Sequence, residues 1–156
     1  MLNAKDYGNI PQNRERIYIV GFKDIEQYKN FDFPKPINLN QGITDVIDIS
    51  KRVDESFYYT EDKYKFYNLL KESIVKSDTI YQWRRKYVRE NKSNVSPTLT
   101  ANMGTGGHNV PLILSKYGIR KFTPRECFAL QGFPESFKLP DLANSDLYKQ
   151  AGNSDF

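Results

Sequence analysis

Three long polar side chains stand at alternating positions in "IPQNRERIYIVGF": Gln12, Arg14 and Arg16. In an extended chain, alternation puts all three on one side. Two guanidiniums sharing a face need acceptors, and carboxylates, phosphates or a base edge would serve. Glu15 points the other way. An ion-pair cluster with partners elsewhere in the fold is the competing reading. A second constellation is "TLTANMGTGG". On one face of a short strand, Thr98 and Thr100 would offer two hydroxyls. Gly104, Gly106 and Gly107 would let a backbone approach a ligand closely. Hydroxyls and exposed backbone N–H groups beside a basic run are what a phosphodiester needs. An ordinary hairpin loop is the bland alternative. The basic run is "WRRKYVRENK", in which Arg84, Arg85, Lys86, Arg89 and Lys92 are interleaved with aromatics. Cys127 invites assignment as a nucleophile, but it falls inside a capped helix among Phe128, Ala129 and Leu130. That setting buries a sulfur and raises its pKa. His108, alone in a Gly/Asn loop, reads as a surface or DNA-facing residue.

These residues need elements to position them. "QNRERIYIVGFK" reads as a strand with apolar residues on both faces, hence buried on both sides. Pro34 and Pro36 keep "FDFPKPINLN" extended. "GITDVIDI" suits a short helix. "TEDKYKFYNLLKESIVKS" has the pattern of an amphipathic helix capped by Thr60, with Phe66, Tyr67, Leu70 and Ile74 on one face. Thr123, Pro124 and Glu126 form a capping box with proline at the first helical position, and Gly132 and Pro134 end that helix. "YKQAGNSDF" reads as the start of a last element that breaks off. The expected fold class is α+β.

Bulk properties set the limits. The 156 residues suit one domain, and 38% hydrophobic with 27% charged residues is a globular composition. No apolar run approaches the roughly 20 residues of a membrane span, and the N-terminus has no signal-peptide core. One cysteine and one histidine exclude an internal disulfide and a structural zinc site of the usual kind; no metal is expected. A lone cysteine fits a reducing cytoplasm. The net charge is +4 and uneven: residues 1–80 carry 12 Lys/Arg against 13 Asp/Glu, residues 81–156 carry 11 against 6. The asymmetry points to an anionic partner for the second half.

The order of four segments is more specific. "LNAKDYGNIPQNRERIYIVGF", "SPTLTANMGTGGHNVP", "RKFTPRECFALQGFPESFK" and "YKQAGNS" resemble the C-terminal half of bacterial DNA (cytosine-5)-methyltransferases of restriction–modification systems. The resemblance implies an enzyme that flips a cytosine out of double-stranded DNA and methylates C5 from S-adenosyl-L-methionine. It makes Arg16 the group that meets the O2 side of the flipped base, with Gln12 and Arg14 holding the site. It implies phosphate contacts from Thr98 and Thr100, a recognition face at about 81–110, and Asn153 and Ser154 beside the cofactor. It divides the chain into the end of the catalytic sheet (1–36), a small, irregular, strand-rich target-recognition region with its orienting helix (37–138), and a truncated return to the catalytic domain (139–156).

The departures matter as much. The family's Pro-Cys nucleophile, its Phe-x-Gly-x-Gly cofactor loop and its Glu-Asn-Val carboxylate are absent from these residues; Cys127 follows Glu126. The expectation is an incomplete catalytic domain, inactive alone, with a separate N-terminal half as candidate partner. A standalone DNA-binding module or a subunit of a split methyltransferase is the alternative.

Overall fold

The computed structural model describes all residues except Lys92, Ser93, Asp155 and Phe156, and the side chain of Thr105. The basic residue Lys92, expected to contact DNA, therefore lies outside the described residues, as do Asp155 and Phe156. The fold mixes helix with small antiparallel sheets, as α+β requires.

The N-terminal ladder is short. Strands β1 (Leu2–Asn3) and β2 (Glu15–Arg16) pair antiparallel, Leu2 opposite Arg16, and α1 (Ala4–Tyr7) fills the connection. The expected long buried strand is not formed. Ile17 and Ile19 are 77% and 92% exposed, and Tyr18 and Val20 are also open to solvent. A strand is buried when neighbours supply ladders and cover its faces, and no described residue pairs with 17–20. The next residues form α2 (Ile25–Lys29) and an extended, exposed segment to about residue 40.

The main sheet has four strands in the order β4-β3-β5-β6, all antiparallel. Strands β3 (Ile80–Trp83) and β4 (Val88–Asn91) form a hairpin; β5 (Pro111–Ser115) and β6 (Gly118–Lys121) form another. Alternation along these strands gives the sheet two apolar faces. On one, Ile80 and Ile113 pack with Ile43 and Ile47 from around α3 (Ile43–Val46) and with Cys127, Phe128 and Leu130 from α5 (Pro124–Ala129) and its end. On the other, Tyr81 and Leu112 meet Leu70 and Ile74, from α4 (Tyr67–Ser73) and its end, and Tyr59.

Two elements differ from expectation. The amphipathic helix is only the seven residues of α4, because the stretch before it turns instead: Thr60 O accepts from Lys63 N and Tyr64 N. Aromatic stacking accounts for this. Tyr64 lies on Tyr59 at 4.2 Å between centroids, and Phe66 on Trp83 at 3.7 Å, contacts that fix the 64–66 stretch ahead of α4. The "AGNS" segment is the end of an element, not the start of one. It closes α6 (Asn144–Asn153), whose Leu147, Tyr148, Ala151 and Gly152 are buried.

The α5 start is as its sequence requires. Thr123 Oγ1 accepts from Glu126 N, and Glu126 Oε2 accepts from Thr123 N at 2.7 Å. Glu126 also receives both terminal nitrogens of the fully buried Arg120, at 2.7 and 2.8 Å. One carboxylate thus caps the helix and neutralises a guanidinium inside the protein.

Candidate functional site

Gln12 and Arg14 sit where distant parts of the chain converge. Exposure alternates along Gln12, Asn13, Arg14, Glu15 and Arg16, as the spacing demands, but Gln12 and Arg14 point inward at 0% and 1% exposed. Gln12 Nε2 donates to Leu130 O at 2.6 Å, and Gln12 Oε1 accepts from Leu99 N at 3.1 Å. Arg14 donates to three main-chain carbonyls: Leu99 O at 3.1 Å, Gly152 O at 3.3 Å, and Ser154 O. Asn3 supports the turn into this cluster, accepting from Arg14 N and donating to Asn13. Two side chains from the segment between α1 and β2 therefore tie together the 98–100 segment, the end of α5 and the end of α6. Arg16, two residues on, is half-buried, and its Nη1 donates to Glu15 O.

The 98–100 segment is not a ladder strand. It is held by a bridge between Gln12 and Ser96 and by the hub just described. Thr98 Oγ1 donates to Asn13 O at 2.7 Å and Thr100 Oγ1 to Asn102 Oδ1 at 2.8 Å. Both hydroxyl protons face protein acceptors here, which leaves their lone pairs and not their protons to a ligand.

The glycines divide into two kinds. A Cβ on Gly104 would come 2.6 Å from the Tyr148 ring, so α6 packing demands glycine there. Gly106 and Gly107 have φ of +86° and +99° and open space where a Cβ would stand, so the backbone bend demands them. Gly152 is the tightest of all. Its Cβ would fall 2.3 Å from Ala101 N, so α6 lies directly on the 100–101 backbone.

The basic hairpin stands beside this loop. Arg85, with φ +68°, forms its tip with Lys86 and Tyr87, and all three are exposed. Arg84, half-buried, and Arg89, exposed, each donate to a neighbouring side chain. Arg84 Nη1 donates to Asn109 Oδ1 at 3.1 Å, and Arg89 Nη2 to Gln82 Oε1 at 2.6 Å. Gln82 and Asn109 carried no local sequence signal: Asn109 is bonded by Gln82 and Arg84 from the β3–β4 hairpin, and Gln82 meets Arg89 only once that hairpin forms.

Other candidates behave simply. Cys127 is buried, and burial pushes its thiol well above the ordinary 9.0. His108 is half-buried in the glycine loop. Lys121, over the rings of Phe57 and Tyr148, has its pKa lowered by burial. Among the described residues no group of three or more His, Cys, Asp or Glu could hold a metal ion, and no helix is long and apolar enough to cross a membrane.

At the end of α6, the Asn153 side chain is exposed, while Ser154 Oγ donates to Gln150 O and its carbonyl is held by Arg14. These two residues border a shallow pocket of about 590 Å³ with Leu142, Asp146, Lys149 and Gln150. An exposed amide and a fixed backbone suit one wall of a polar ligand site.

Comparison with known proteins agrees with the motif order. The family model for C-5 cytosine-specific DNA methylases matches residues 1–154. The chain is 70% identical over 154 residues to the Type II methyltransferase M.Bsp6I of Bacillus sp. (strain RFL6), covering 99% of this chain and 49% of that protein. It is 37% identical to M.DsaV of Dactylococcopsis salina, covering 42% of it, and 34% identical to M.HhaI of Haemophilus parahaemolyticus, covering 47%. The chain thus spans about half the length of the relatives it matches. With a match that runs through nearly all of its residues, the chain belongs to the C-5 cytosine-specific DNA methylase family.

Proposed function

We propose that these residues are the C-terminal, DNA-recognising part of a DNA (cytosine-5)-methyltransferase of restriction–modification type, whose reaction is completed by residues outside the 156. The observation that carries this reading is the convergence on Gln12 and Arg14 of segments from all four motif regions. That hub fixes the recognition segment, the α6 end and the Arg16 strand relative to one another. In this reading 1–36 ends the catalytic sheet, 37–138 is the target-recognition region with its orienting helix, and 139–156 returns to the catalytic domain.

The exposed apolar run Ile17–Val20 and the neighbouring rings of Phe22, Phe31 and Phe33 supply the surface against which the other half packs. Burying such a surface is favourable at about 25 cal/mol per Å². Double-stranded DNA lies against the hairpin tip, Arg85 and Lys86, and the backbone of Gly106 and Gly107; Thr98 and Thr100, whose protons go to Asn13 O and Asn102 Oδ1, brace the neighbouring loop, and a phosphate would reach them only by taking over those protons. Arg89 lies on the same sheet but is turned to Gln82.

The reaction needs a thiolate to add to C6 of an extruded cytosine. Cys127 is unsuited to that task, buried and held protonated. Adding the thiolate pushes electron density into the ring, and Arg16 offers a fixed cation at the O2 edge to stabilise it. Gln12 and Arg14 position Arg16 and do not touch substrate. S-adenosyl-L-methionine supplies the methyl group when bound; Asn153 and Ser154 border its pocket. The work takes place where bacterial DNA is, in the cytoplasm.

The test is to assay the purified chain alone. We expect no tritium transfer from labelled S-adenosylmethionine to DNA, together with DNA binding that weakens steeply with salt. Turnover by the chain alone, or no binding at low salt, overturns the proposal.

A further inference from the structure

Resting on the reading of this chain as a DNA-binding one, we infer that Arg84 is a positioning residue that locks the recognition hairpin to the glycine loop, and that the phosphate contacts of this face fall to Arg85 and Lys86. The sequence alone puts Arg84 and Arg85 on an equal footing. The structure separates them. Arg84 is half-buried, and its Nη1 donates to Asn109 Oδ1 at 3.1 Å and, more weakly, to His108 O at 3.4 Å. On the next strand position facing the loop, Gln82 Nε2 donates to Asn109 O at 3.2 Å, and Arg89 Nη2 holds Gln82 Oε1. Asn109 is thus clasped at its side chain by Arg84 and at its carbonyl by Gln82.

This clasp has a purpose that follows from the loop. Gly106 and Gly107 have left-handed backbones and open space where a Cβ would stand, so they have no side chains of their own to anchor the loop. A glycine pair of that kind is expensive to order on binding. The clasp at residues 108–109 fixes the end of the loop before a ligand arrives. It also fixes the spacing between the loop and the hairpin tip, where Tyr87 O accepts from Arg84 N at 2.8 Å to close the turn. Arg85 and Lys86 then meet a phosphate backbone from a set position. Arg84, half-buried and held at Nη1 against the loop, is set back from the exposed tip that Arg85 and Lys86 form.

The full chain and an unspecific DNA duplex suffice to test this. Arg84→Ala is expected to weaken binding about tenfold, the scale of losing a preordered loop, with the slope of log K against log salt unchanged. Arg85→Ala is expected to reduce that slope by about 0.9, one phosphate contact. Asn109→Ala should reproduce the Arg84→Ala loss, and the double variant should lose no more than either alone. A slope reduced by about 0.9 in Arg84→Ala, or full additivity with Asn109→Ala, overturns the inference. A second measurement needs no DNA. Backbone order parameters at Gly106–Asn109 in the free chain should fall in Arg84→Ala; unchanged values overturn the inference even if DNA binding proves absent, in which case the DNA-binding reading fails separately.

Discussion

Replacing Arg14 by alanine should cost about 4 kcal/mol of folding stability, whereas the same change at Arg16 should cost roughly 0.5 kcal/mol or less. The two arginines are one strand repeat apart, so sequence offers no reason for so large a difference. The structure does. Arg14 is almost wholly buried, and its guanidinium serves the carbonyls of Leu99, Gly152 and Ser154. Truncation leaves these acceptors without their donor, at about 1–3 kcal/mol for each buried group. It also opens a cavity the size of a long side chain. Against this stands the cost of burying the charge, which truncation recovers, and water entering beside Ser154 at the surface end. The balance sets the figure near 4 kcal/mol, a large fraction of the roughly 5–15 kcal/mol of a typical domain. Arg14→Lys should lie between, because one ammonium cannot span three acceptors set around a planar fork. The assay is urea unfolding with the thermal midpoint alongside. For a chain of this size, 4 kcal/mol corresponds to a drop of roughly 8–16 °C. A loss below about 1 kcal/mol in Arg14→Ala, or an equal loss in Arg16→Ala, would refute the hub.

Three further outcomes follow from particular contacts. Glu126→Ala should destabilise by about 4 kcal/mol, because it strands the buried Arg120 and removes half of the α5 capping box; a stability change within 1 kcal/mol, read by the same unfolding assay, would contradict that pairing. Gly152→Ala must push α6 off the 100–101 backbone, an overpacking cost of about 1–3 kcal/mol, and a crystal structure of the variant with α6 unmoved would show the contact to be slack. Cys127 should react with a thiol reagent only as fast as the chain unfolds. Its raised pKa carries a sign: the unfolded thiol loses its proton near 9.0 while the folded one keeps it, so stability should fall as pH rises above about 9. Native-state labelling at neutral pH, or the same alkaline loss in Cys127→Ala, would contradict this.

How far the sequence could be read depended on where each contact lies. The α5 start was fully legible, because Thr123, Pro124 and Glu126 act within one turn. The glycine loop and the strand after it were legible for the same reason, but "WRRKY" read only as a basic run, and its hairpin turn, with Arg85 at φ +68°, was not expected. The burial of Ile17–Val20 was not, since a strand's burial belongs to its neighbours and none of the described residues covers it. The helix expected from Thr60 failed because two ring stacks outweighed its periodicity. The helix α6 was missed, although Leu147, Tyr148 and Ala151 repeat at helical spacing; the weak start, with Ala143 making no side-chain cap, hid it. In the site, that Gln12 and Arg14 share a face was legible from alternation; that this face points inward was not. Their acceptors were not, since they are main-chain carbonyls from residues about 85 to 140 positions away. Gln82 and Asn109 escaped notice because their contact joins β3 to the segment just before β5.

The most direct test of the whole account is reconstitution. The chain is mixed with the N-terminal part of a closely similar methyltransferase, one carrying the Pro-Cys and Glu-Asn-Val segments, and methyl transfer to DNA is followed under single-turnover conditions. Neither piece alone should transfer methyl groups, and the mixture should. Arg16→Ala should slow the mixture about a hundredfold, the usual loss for one preorganised charge at a reacting centre, with its thermal midpoint kept. A mixture as inactive as its parts, though the two bind each other, or an Arg16→Ala mixture that methylates at the parental rate, would contradict this reading.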